Sequence, residues 1–62
     1  MEPKFKVGQS VVFTQTHKPY YIGEVIDILK IDDEWHYATK QDDYEDGYFP
    51  ERYLALHGYL NN

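Results

Sequence analysis

The sequence predicts an all-β fold: five short strands forming a small barrel, with a short 3₁₀ turn before the last strand. Three observations point there. Runs of β-branched and aromatic residues recur at short intervals, broken by Gly, Pro and acidic turns. The chain has only 62 residues, yet carries seven Tyr, three Phe and one Trp, enough large rings for a compact core. A chain of this size buries only about 60% of the surface its unfolded form exposes. Closing or nearly closing the sheet would also remove the edges that a small sheet exposes.

The elements follow in order. Residues 1–4 read as a tail, and the single domain is expected over residues 5–57. Phe5-Lys6-Val7 alternates, and Gly8-Gln9 marks a turn. Ser10 to Thr14 is β-branched and aromatic, hence a strand; Gln15 to Pro19 is polar and reads as a loop. Tyr20 to Ile31 is the longest apolar stretch. Ile22, Ile26 and Leu29 share helical spacing, but Gly23 and the Ile/Val content favour a strand. Apolar residues fall on both of its faces, which a bulge or bend near Gly23 would explain.

Asp32-Asp33-Glu34 is an acidic turn, and Trp35 to Lys40 alternates like a strand. Gln41 to Asp46, closed by Gly47, reads as a hairpin loop. Tyr48-Phe49 opens a fourth strand that Pro50 stops, having no N–H to give a ladder. Glu51-Arg52-Tyr53 suits one 3₁₀ turn. Leu54-Ala55-Leu56 forms the last strand, and 58–62 is a second tail.

Charge and composition exclude several function classes. The net charge is −5, and no Lys/Arg cluster is present to hold a phosphate backbone, so nucleic acid is the disfavoured partner. No apolar run approaches the roughly 20 residues of a membrane helix, and no signal-peptide stretch begins the chain, so a cytoplasmic location is expected. Without Cys there is neither a disulfide nor a thiolate metal site. His17, His36 and His57 lie in separate segments without ligand spacing. Asp42, Asp43, Glu45 and Asp46 lack the order of a calcium loop. No nucleophile has a matched base, so neither catalysis nor a cofactor is expected.

The ordered spacing of the second half carries a family resemblance. Gly47-Tyr48-Phe49-Pro50-Glu51-Arg52-Tyr53-Leu54-Ala55-Leu56 resembles the end of SH3 domains. Trp35 with Ala38 resembles the family's third strand, and Tyr20-Tyr21-Ile22-Gly23-Glu24 its aromatic-x-x-Gly-Glu lead-in to the second. The resemblance implies an SH3-like barrel whose groove receives proline-rich peptides on Trp35, Pro50 and Tyr53. The acidic residues Asp33 and Glu34 would meet a Lys or Arg of the peptide. Phe13 and Tyr20 are candidates for the rest of the groove. The first strand departs from the family, with Val11-Val12-Phe13-Thr14 where an Ala-Leu-Tyr-Asp-Tyr motif is usual, and the loop after it is short. The front half, Phe5 to Val12 and Tyr21 to Ile26, is instead similar to Tudor-type and KOW-type barrels.

From residue types alone, Trp35 is either a binding-face anchor or a core residue, while Tyr37 and Tyr48 are expected in the core or half-buried. The expected function is a non-catalytic module that binds a protein or proline-rich peptide, basic in character, through an aromatic patch. Two alternatives stand beside it: a nucleic-acid-associated barrel, and an acidic phage-type regulator of a host protein.

Overall fold

The computed structural model describes residues 2–14 and 22–57. Five antiparallel strands form one sheet: β1 (Ser10–Phe13), β2 (Ile22–Ile31), β3 (Glu34–Gln41), β4 (Tyr44–Pro50) and β5 (Leu54–Leu56). A 3₁₀ turn, Glu51–Tyr53, separates β4 from β5, as the sequence predicts. Among the described residues, no helix is long and apolar enough to cross a membrane.

The strand order is β4-β3-β2-β1-β5, and the sheet does not close into a barrel. A closed or nearly closed sheet is the expectation; the five antiparallel strands and the 3₁₀ turn are as expected, without closure. The three residues of β5 pair with β1, through Val11 with Leu56, Val12 with Ala55 and Phe13 with Leu54. The sheet curls strongly all the same. Phe13 on β1 and Phe49 on β4 are three strands apart, about 14 Å in a flat sheet. Their ring centroids nevertheless lie 4.9 Å apart at an interplanar angle of 74°. Aromatic contact thus closes the interior where hydrogen bonds do not.

The ambiguous apolar pattern of β2 resolves into a bulge. Val25 pairs with Thr39 and Asp27 with Ala38, leaving Ile26 as the extra residue. The bulge lets Val25 and Ile28, three positions apart, both face inward: Val25 is fully buried, and Ile28 packs on the core. Asp27, Leu29 and Ile31 take the other face. The core itself comprises Phe5, Val11, Phe13, Val25, Tyr37 and Leu54.

Two tight turns connect β2 to β3 and β3 to β4. Ile31 pairs with Glu34 across Asp32–Asp33, and both aspartates have positive φ, 50° and 66°. Short polar side chains tolerate that region, and its twist suits a two-residue hairpin. The second turn differs from the sequence reading. Gln41 pairs with Tyr44 across Asp42–Asp43, so most of the expected 41–46 loop is strand. Glu45 and Asp46 sit on β4, which pairs only with β3 among the described residues. A second irregularity follows: Ala38 pairs with Tyr48 but Lys40 with Glu45, so Asp46 and Gly47 together face Thr39.

The residue singled out by the β2 lead-in has a steric reason to be glycine. A Cβ on Gly23 would lie 2.9 Å from the Cβ of Thr39, which is itself fully buried. Neither atom can swing aside. Gly23→Ala is therefore expected to lose about 1–3 kcal/mol through overpacking. Urea unfolding would test this, and a midpoint equal to wild type would disprove the clash.

Candidate binding cleft

The first turn of β3 and the 3₁₀ turn face each other across a cleft of about 250 Å³, lined by Lys4, Asp33, Glu34, Trp35, Glu51 and Arg52. Trp35 is half-buried and packs against the core cluster. It shares a face with Tyr37 and Thr39, both fully buried, but lies nearer the strand's start. The Lys30 ammonium sits 5.3 Å from the centre of its ring. Part of the Trp35 surface thus supports the core, and part forms the cleft wall.

An ion pair between Arg52 and Glu34 spans the rim. The hydrogen bond that the Arg52 guanidinium donates to the Glu34 carboxylate raises it above its ordinary value. On the other side, Glu51 is held from beneath. The Tyr37 hydroxyl donates to the Glu51 carboxylate. The same carboxylate accepts from the Lys4 backbone N–H at 3.0 Å. Tyr37 Oη also accepts from the backbone N–H groups of Lys4 at 2.9 Å and Phe5 at 3.3 Å. Burial pushes the Tyr37 hydroxyl up to about 12, with the Glu51 hydrogen bond adding to it. Lys4, which the sequence places in a tail, is therefore fastened to the domain through its backbone.

A second groove, of about 390 Å³, is lined by Lys4, Phe5, Thr14, Arg52 and the three residues of β5. The two depressions share Lys4 and Arg52, so they adjoin. One offers carboxylates and an indole; the other is largely apolar.

No protein-family model matches the chain, and neither does any curated protein or solved structure.

The structure brings together only some of the residues expected to form the site. Asp33, Glu34 and Trp35 share the cleft. Pro50 and Tyr53 bracket the lining pair Glu51 and Arg52 in sequence but do not line the cleft themselves. Pro50 pairs with His36, one position out of phase with Trp35, which places it on the opposite face of the ladder. Tyr53 is 36% exposed, with the Arg52 guanidinium 5.1 Å from its ring centre. Phe13 is a core residue, its ring against Phe49, rather than a groove wall. Tyr20 lies outside the described residues.

Sequence reasoning missed Lys4, Glu51, Arg52 and the hydroxyl of Tyr37 as builders of the site. Glu51 and Arg52 were visible only as the two polar positions after Pro50. Nothing in the pattern signalled that Tyr37 would reach from the core to Glu51. Tyr48, expected in the core or half-buried, is 42% exposed, and its hydroxyl donates to Asp27 instead.

Proposed function

We propose that this chain is a non-catalytic protein-interaction module of SH3-like build, binding an extended, proline-containing peptide with a cationic residue at one end. The observation that carries this reading is the joining of an indole wall and three carboxylates to an apolar groove. A polyproline II segment has little conformational freedom to lose. Its rings would pack along Leu54 and Leu56, and its Lys or Arg would enter among Asp33, Glu34 and Glu51. Flat aromatic and aliphatic walls suit such a ligand at low entropic cost.

Trp35 is the sole Trp of the chain, so its fluorescence reports on the cleft directly. Titration with a proline-rich peptide ending in Arg is expected to change that emission saturably. Calorimetry with Trp35→Ala is expected to show affinity reduced about 30-fold, the scale of a buried aromatic anchor. Asp33→Asn is expected to weaken binding by less than about fivefold, as for an exposed ion pair. An emission unchanged by peptide would reject the reading. So would a Trp35→Ala variant that keeps its fold by circular dichroism and binds like wild type.

A further inference from the structure

The face of the sheet opposite the cleft carries a second feature. The ladder sets Leu29, His36 and Pro50 in one row across β2, β3 and β4. Below it, the row Asp27–Ala38–Tyr48 is bridged by the Tyr48 hydroxyl, which donates to Asp27 and so lays its ring over Ala38. Above it, Ile31 pairs with Glu34. Leu29, Ile31 and Tyr48 are 46%, 37% and 42% exposed. Three large apolar side chains on one sheet face, grouped around a proline, differ from the single exposed residues of an ordinary surface.

The stripe is also held in place. The bond to Asp27 fixes the Tyr48 ring and raises its hydroxyl above the ordinary tyrosine range. His36 Nδ1 lies 2.9 Å from the Glu34 carbonyl, and a Pro ring has no rotamers to lose. Fixed side chains reduce the ordering cost of association. Around the stripe, the carboxylates of Asp27, Asp32, Asp33, Glu34 and Glu45 outnumber the cations Lys40 and Arg52. A second copy of the chain would set this negative rim against itself, which is costly.

We infer that the outer face of β2, β3 and β4, centred on Leu29, His36, Pro50 and Tyr48, is a docking surface for a protein partner whose apolar contact patch is framed by lysines or arginines. It lies on the other sheet face from Trp35, shares the rim residues Asp33, Glu34 and Arg52 with the cleft, and does not rest on the peptide-binding reading.

The probe is a short synthetic peptide alternating Leu and Lys, with an alternating Gly and Lys peptide of equal charge as control. Amide chemical shifts are expected to move at Leu29, Ile31, His36 and Tyr48 with the first peptide only. Leu29→Glu and Ile31→Glu are expected to weaken that binding by about tenfold or more, as for central interface residues. Leu29→Gln repeats the test without added charge. Leu56→Ala, on β5 at the far end of the strand order, is expected to leave it within about twofold, since distant sites act independently. Equal binding of the two peptides would overturn the proposal by showing attraction of charge alone. Shifts confined to the Trp35 cleft would overturn it as well. Concentration-dependent shifts at the stripe without any peptide would assign the face to a second copy instead.

Discussion

Phe5→Ala is expected to remove most of the stability of this domain. Phe5 belongs to no strand, yet its side chain is fully buried in the core. Its ring stands edge-on to Tyr37, with centroids 5.0 Å apart at 66°. Truncating a buried Phe costs about 3–5 kcal/mol, part transfer and part cavity. A chain of this length commands only about 3–9 kcal/mol in total, at 0.05–0.15 kcal/mol per residue. The variant should be partly unfolded at room temperature, with a urea midpoint far below wild type. Val7→Ala, two residues on, is the control: Val7 is 62% exposed and should change stability by less than about 0.5 kcal/mol. Comparable losses at the two positions would show that Phe5 is not a core residue.

Tyr37→Phe carries the second large effect, and it depends on pH. The substitution removes the hydroxyl that donates to Glu51 and accepts from the N–H groups of Lys4 and Phe5. Losing a hydrogen bond to a charged group and stranding a buried donor should together cost about 3 kcal/mol near neutrality. The wild-type advantage should then fade in alkali. Below about pH 10 the phenol keeps its proton in both folded and unfolded chains, so its full contribution is present. Between pH 10 and about 12 the unfolded chain releases the proton while the folded chain, with its raised value, retains it. The unfolded state then binds fewer protons, so stability falls as pH rises across this window. Unfolding curves at several alkaline pH values should show wild type converging on Tyr37→Phe. A gap that stays constant from pH 9 to 12 would contradict the burial and bonding described for the hydroxyl.

Much of the fold is legible because local chemistry and global pattern agree. Pro50 ends β4, Glu51–Tyr53 turns, and Leu54–Leu56 pairs with β1, as the residue types require. Asp32 and Asp33 mark a turn because few residues other than Gly, Asn and Asp accept positive φ. Legibility fails where residues obey a neighbour distant in sequence. Glu45, Asp46 and Gly47 look like a loop, but on a strand with one described neighbour acidic side chains can remain in water. The bulge at Ile26 shifts the face of every later β2 residue, and alternation alone could not say where that slip occurs. The patch of Trp35, Pro50 and Tyr53 was the reading most exposed to this. A one-residue difference in phase decides whether Trp35 and Pro50 share a face, and here the register of β3 with β4 separates them. Phe13 reads equally well as a groove wall or a core ring, and only the curl that carries it to Phe49 decides.

The open sheet has a consequence for how these molecules behave at high concentration. Beside the Asp42–Asp43 turn, β4 starts its ladder with Tyr44 and Glu45 and then breaks it with the two-residue irregularity of Asp46 and Gly47. Carboxylates and a broken register are the means by which edge strands avoid templating fibres. Part of that guard is electrostatic, and its reach shrinks from about 8 Å at physiological salt to about 3 Å at 1 M. Concentrated wild-type solutions should therefore turn turbid sooner in molar than in physiological salt, and replacing Glu45 and Asp46 by their amides should bring the same early turbidity at physiological salt. Unchanged turbidity would place the protection in the broken register alone.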